Sequence, residues 1–301
     1  MIDLKSLVKA GVHFGHQSSR WCPRMAGYIW GQKNGVHLID ISKTAIQLER
    51  AAKFLENTIK EGKTVLWIGT KKPAQQAVKE AAEICSQPSV THRWIGGTLT
   101  NRKEVNKSIT KFLHLGDVLK KTDRTHYTKK ELNSFQKRVD RLEKNIGGIV
   151  KMKWPVGALV VVDVRKEQSA VKEARSMGIP VVALVDTNSD PLGIDFTIPA
   201  NDDAPKAIKI LVDYLGQAAQ RGKVAFDQIK KDELDLERAA TKKKEVVAKP
   251  VEKTEAVKAA PVEASSDEKT ETKDAAPKKT VAKPSVTKFT KNTTAKPSDK
   301  K

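Results

Sequence analysis

Along the first 229 residues, short apolar runs alternate with stretches whose apolar positions recur every three or four residues. The runs predict six strands, over residues 36–41, 64–70, 89–94, 158–164, 180–186 and 195–199. Three of them contain Val-Leu-Trp-Ile-Gly, Ala-Leu-Val-Val-Val-Asp and Val-Val-Ala-Leu-Val-Asp. Such nearly continuous β-branched runs belong to strands covered on both faces. The periodic stretches predict helices. Ser42 caps one that buries Ala45, Ile46, Leu48, Ala52, Leu55 and Ile59 and stops at Gly62. Pro73 opens a second that runs to about residue 86. Two more cover 166–177, ending at Gly178, and 204–221, ending at Gly222. Strand–helix alternation implies right-handed crossovers, hence an α/β fold with a parallel sheet flanked by helices.

The alternation breaks between Asn101 and Gly147, where two helical patterns occur with no strand. Val105, Ile109, Phe112 and Leu119 line one; Leu132, Phe135, Val139, Leu142 and Ile146 line the other. This spacing is a coiled-coil seam. With a polar return near residues 121–128 it predicts an inserted antiparallel helical hairpin over about 102–147. The hairpin's outer positions are basic, from Lys103 and Lys107 to Arg141 and Lys144.

Composition changes the picture at the C-terminal end. From Lys230 onward there are five prolines and one aromatic, Phe289, among repeated Lys, Glu, Ala, Thr, Ser and Val. Such a segment buries too little apolar surface to offset its chain entropy, so 230–301 is expected to be a low-complexity, mostly disordered basic tail. Residues 1–229 are then the folded domain.

The 301 residues hold 56 Lys and Arg against 36 Asp and Glu, a net charge of +20. The excess is uneven: residues 1–155 carry net +16, 156–229 net −2 and 230–301 net +6. A basic half beside a neutral half points to a polyanionic partner. The runs are too short for a bilayer span, the first residues lack a secretory pattern, and Cys22 and Cys85 have no paired spacing. A membrane-surface role lacks its basic amphipathic helix.

Catalysis finds little support. Arg165-Lys166-Glu167-Gln168 follows one strand without glycine, and Gly69-Thr70-Lys71-Lys72-Pro73 follows another with only one. Neither is a dinucleotide loop, and no P-loop or nucleophile elbow occurs. An enzyme or nucleotide sensor would have to use His16 with Asp186, Asp190, Asp202 and Asp203 near strand ends. Oxygen and imidazole ligands there could hold a divalent ion if the loops converge, but the acids read as turn and cap chemistry, with no metal and no cofactor; for His13 and His16 both alternatives stay open.

Three basic loops suit nucleic acid instead. The first holds Arg20, Trp21 and Arg24, with Lys33 in the following Gly31-Gln32-Lys33-Asn34-Gly35; the second is Thr70-Lys71-Lys72 at a helix start. The third runs from His92 to Lys103 and offers Arg93, Trp94 as a stacking plane, Gly96 and Gly97 for close backbone approach, Asn101, Arg102 and Lys103.

Six blocks then carry a resemblance: Ala10-Gly11-Val12-His13-Phe14-Gly15-His16-Gln17, Asn34-Gly35-Val36-His37-Leu38-Ile39-Asp40, Gly69-Thr70-Lys71, the stretch from His92 to Asn101, the stretch from Leu142 to Ile149, and Val185-Asp186-Thr187-Asn188-Ser189-Asp190-Pro191. Their order and spacing resemble the bacterial-type small-subunit ribosomal protein family two. The resemblance covers about residues 1–229. It implies a flavodoxin-like (Rossmann-like) sheet with an inserted coiled coil and a cytoplasmic place on the ribosome, between head and body of the small subunit. It also implies contact with small-subunit ribosomal RNA and neighbouring ribosomal proteins, help in recruiting ribosomal protein one, and no enzymatic activity, small-molecule substrate or membrane. The tail departs from the family pattern and inherits no role.

Overall fold

The computed structural model describes residues 3–120 and 127–247. The hairpin tip at 121–126 and the predicted tail beyond Val247 lie outside the described residues. In chain order the elements are α1 (Leu4–Ala10), β1 (Phe14–Gln17), β2 (Ile29–Lys33), β3 (Val36–Ile39), α2 (Ile41–Lys60), β4 (Thr64–Ile68), α3 (Lys72–Cys85), β5 (Ser89–Val90), α4 (Arg102–Lys120), α5 (Lys129–Ile146), β6 (Val156–Val162), α6 (Gln168–Ser176), β7 (Val181–Val185), β8 (Phe196–Pro199) and α7 (Pro205–Val247). Among the described residues no helix is long and apolar enough to cross a membrane.

Five parallel strands form the main sheet in the order β5-β4-β6-β7-β8. This is the 2-1-3-4-5 order of flavodoxin-like sheets, whose switch point falls between β4 and β6. Every residue of β4 and β7 is buried, which is why their sequences are continuously apolar. Alternation still decides the neighbours. Val65, Trp67, Val160, Val182 and Leu184 join a core under α1, α2, α3 and α7. Leu66, Ile68, Leu159, Val161 and Ala183 join a second core on the opposite face, with Met25, Trp94, Leu99, the base of α4 and α5, and α6.

The stretch at 36–41 departs from expectation. Its strand, β3, pairs antiparallel with β1 and β2 in a separate three-stranded sheet. Asn34 and Gly35 both have positive φ, as the tight hairpin turn between β2 and β3 requires. The chain then enters α2 earlier than a Ser42 cap implies, because the Asp40 carboxylate accepts from the Ser42 and Lys43 amides. The strand expected over 89–94 stops at Val90, for a reason that appears below.

In α4 and α5 the predicted seam is the less exposed side, and Leu115 is buried between Phe112 and Leu119 to complete it. The two helices pack on each other. Thr128 and Glu131 form a capping box at the start of α5.

The last helix does not stop at Gly222 but continues to Val247. Gly222 serves packing: a Cβ there would lie 2.5 Å from the Glu56 carbonyl oxygen in α2. Backbone cannot yield as a flexible side chain does, so Gly222→Ala is expected to cost about 1–3 kcal/mol, read as a lower urea midpoint with an unchanged slope.

Candidate functional site

In open α/β sheets, ligands collect outside the carboxyl ends of the strands at the switch point. Here that position is acidic. Asp163 follows β6, Asp186 follows β7, and Asp202 and Asp203 follow β8. Lys71, just beyond β4, places its ammonium 2.7 Å from Asp202, 2.6 Å from Asp203 and 3.4 Å from Asp163. Burial works against its charge, but the hydrogen bonds to Asp202 and Asp203 outweigh it and hold its pKa above the usual lysine value. Asp202 is 1% exposed. Burial, with the charge of Asp163 behind it, pushes its carboxyl up to about 7, against the pull of Lys71.

His16 enters from β1. Its Nδ1 lies 3.0 Å from Asp186 Oδ2 and its Nε2 3.2 Å from Asp203 Oδ2. The Asp186 interaction raises the imidazole pKa more than partial burial lowers it. The approach depends on Gly15, where a Cβ would lie 2.6 Å from the Thr187 methyl; the His16 amide donates to Thr187 Oγ1 at 2.9 Å. The turn and cap reading also finds its atoms here. Asp186 Oδ1 accepts from the Thr187 amide and hydroxyl, and Asn201 Oδ1 accepts from the Asp203 and Ala204 amides ahead of α7.

The basic loops divide into exposed and committed cations. Arg20, Lys33, Lys72, Arg93, Arg102 and Lys103 are exposed. Arg24 is exposed but paired with Asp190, and Trp21 lies 5.4 Å from the His37 ring. The first and third loops share one core, where Met25 is buried beside Trp94 and Leu99. Arg102 sits 5.4 Å over the Trp154 ring.

Two expected contacts are used internally instead. Lys71 is surrounded by carboxylates rather than offered to phosphate. Trp94 is not a stacking plane: it is 8% exposed, and its indole N–H donates to Glu173 at 3.0 Å. Glu173, on α6, also accepts from the amides of Gly97 at 2.8 Å and Leu99 at 3.1 Å. Drawing the chain onto this carboxylate ends β5 after two residues. Gly97, at φ 88°, makes the turn, and the Asn101 amide closes it on the Gly97 carbonyl. Gly96 remains open. Glu173 is invisible to sequence reasoning because an acid on an amphipathic helix looks like ordinary surface. Asp163 had a signal, an acid directly after five apolar strand residues.

A further cationic face was legible only as charge. Lys129, Lys130, Lys137, Arg138 and Arg141 line one groove along α5 with Asn133 and Ser134. None of these five cations joins an ion pair among the described residues.

This chemistry opposes a nucleotide. A phosphate at the switch point would face Asp163, Asp186 and Asp202, with Lys71 already neutralised.

Comparison with known proteins finds a family and relatives. The family model described as "Ribosomal protein S2" matches residues 7–222. The chain is 44% identical over 220 residues to "Small ribosomal subunit protein uS2" of Cereibacter sphaeroides (strain ATCC 17029 / ATH 2.4.9), spanning 73% of this chain and 87% of the relative. Proteins of the same name from Rhodopseudomonas palustris (strain HaA2) and Bradyrhizobium diazoefficiens (strain JCM 10833 / BCRC 13528 / IAM 13628 / NBRC 14792 / USDA 110) are 45% and 44% identical over 219 residues, in each case across 73% of this chain and 66% of the relative.

Proposed function

Because the chain belongs to the ribosomal protein S2 family, and so is a structural, non-catalytic component of the small ribosomal subunit, we propose that it holds its place there by binding ribosomal RNA through the exposed cations of its loops. Arg20, Arg24, Lys33, Lys72, Arg93, Arg102 and Lys103 meet phosphates, while Trp21, Gly96 and Asn101 shape the approach. The observation that carries this reading is the separation of charge. The carboxylates converge on Lys71 and His16, whereas these loop cations stand exposed, Arg24 paired with Asp190.

In the same reading α4 and α5 form an antiparallel coiled coil whose α5 groove lies against RNA or a neighbouring protein, ribosomal protein one among the partners, in the cytoplasm. The charge excess of residues 1–155 favours that half of the α/β domain for this work, with 230–301 as a charge-mixed extension whose first residues belong to α7.

The log–log salt slope of binding is about −0.7 to −0.9 per phosphate contacted. Arg93→Ala with Arg102→Ala is expected to flatten the slope for small-subunit RNA by about 1.4–1.8; an unchanged slope moves the interface elsewhere. Tagged protein should also sediment with the small subunit in a lysate gradient and leave that position when low magnesium unfolds the subunit.

A further inference from the structure

We propose that Asn34-Gly35 is a modification site, where Asn34 loses its side-chain nitrogen as ammonia and becomes an aspartyl or isoaspartyl residue without any enzyme. It is the one Asn-Gly pair in the sequence. Both residues are exposed, in the turn between β2 and β3.

The reaction is an attack by the following main-chain nitrogen on the asparagine side chain. The Gly35 nitrogen bonds to Asn34 Cγ, the Cγ–Nδ2 bond breaks, and ammonia leaves carrying the displaced Gly35 amide proton. A five-membered succinimide remains. Water opens it at either carbonyl. Opening at Cγ restores the main chain with an aspartate side chain; opening at the Asn34 main-chain carbonyl leaves the chain running through Cβ and Cγ, as isoaspartate. Water is the sole co-reactant.

The surroundings leave that nitrogen free to attack. Among the described residues the Gly35 amide donates no hydrogen bond, and the Asn34 side chain has no polar partner. A Cβ at Gly35 would meet nothing within 4 Å, so no side chain crowds the approach. The two Asn-Ser pairs of the sequence, whose second residue is also small, are guarded by contrast. Ser134 lies inside α5, where the helix ladder holds its amide. The Ser189 amide donates to the Asp186 carbonyl at 3.1 Å, and Asn188 Oδ1 accepts from the Ser189 hydroxyl at 2.9 Å.

The turn is tied to the first basic loop. Lys33 pairs with Val36 across the hairpin, and the Gly35 carbonyl accepts from the Ser18 amide at 2.9 Å, at the head of the short helical turn Ser18–Arg20. The aspartyl product sets a negative charge beside the exposed Lys33. The isoaspartyl product also inserts a methylene into a main-chain turn whose length fixes the strand register, which displaces Lys33 and loosens the hold on Ser18. Either product weakens the phosphate contacts of this loop, a consequence that rests on the RNA reading above.

The test ages the full chain in neutral and in alkaline buffer and follows each asparagine by peptide mass spectrometry, with labelling by an isoaspartyl methyltransferase as a second readout. Asn34 should convert, faster in alkali, while Asn133 and Asn188 stay intact. Asn34→Gly keeps a turn that accepts positive φ at both positions; it should fold as the parent does and lose most of the methyl label. Asn34→Asp supplies the aspartyl product from the outset. Its salt slope for small-subunit RNA should be flatter by about 0.7–0.9, the loss of one phosphate contact, with Asn34→Gly binding like the parent. Asn34 that stays intact, or converts no faster than Asn188, overturns the proposal, as does equal labelling of Asn34→Gly and parent. An unchanged slope in Asn34→Asp overturns the effect on binding. The mapping needs no RNA, so a parent that ignores small-subunit RNA overturns the RNA reading and leaves the modification decided.

Discussion

Lys71→Met should destabilise the folded protein by about 3 kcal/mol near pH 8, as read by urea unfolding. The side chain removed is the common counter-ion of Asp163, Asp202 and Asp203. Breaking a buried pair from one side costs about 3–5 kcal/mol, because the remaining charge is stranded. The lower figure applies because Asp203 is half exposed and water screens it. The loss should shrink on acidification. Asp202 already sits at about 7 with Lys71 beside it, and without Lys71 its carboxyl is pushed higher still. A group whose folded pKa exceeds its unfolded value favours folding as pH falls toward the unfolded value. The variant should therefore recover between about pH 8 and pH 5 relative to the parent. A loss that stays constant over that window would show that Lys71 acts by packing rather than charge.

Glu173→Ala is expected to cost about as much, roughly 3 kcal/mol, since each buried donor left without an acceptor costs about 1–3 kcal/mol and the losses overlap. The donors are the indole of Trp94 and the amides of Gly97 and Leu99. Hydrogen exchange should accelerate at both amides, which a general loss of stability would not confine to this turn. Affinity for small-subunit RNA should also fall, because Arg93 and Arg102 flank the turn. Glu173→Gln keeps one acceptor oxygen and should lose about half as much stability. Full stability in Glu173→Ala would remove the carboxylate from any part in shaping the loop.

These two residues also mark where sequence reasoning runs out. The central strands were legible because burial on both faces demands uninterrupted apolar residues, as in Val-Leu-Trp-Ile at 65–68. The paired helices were legible because Val105, Ile109, Leu132 and Leu142 keep a seam. The loop arginines were legible as charge. What escaped was long-range and polar. Glu173 meets Trp94 across 79 positions of chain, so no local spacing announces it; His16 and Asp186, 170 positions apart, were legible only as residue types near strand ends, not as a contact. In the small β1-β3-β2 sheet only β3 was foreseen, because Phe-Gly-His-Gln and Ile-Trp-Gly-Gln-Lys each carry a glycine and no apolar run, although Asn34-Gly35 signals the hairpin. Gly222 misled because glycine ends many helices and here admits the backbone of α2. The fold therefore follows from apolar pattern, while the site follows from topology.

The cover that α7 gives to Trp67 sets a timetable for the nascent chain. Trp67 belongs to β4, and the residues that shelter its side of the sheet include Leu211, Leu215 and Ala219. At about 5–20 residues per second, roughly 8–30 s pass between the synthesis of Trp67 and that of Ala219. For that interval the emerging polypeptide carries an apolar wall still lacking part of its cover, an invitation to chaperones while it is still attached to the machine that makes it.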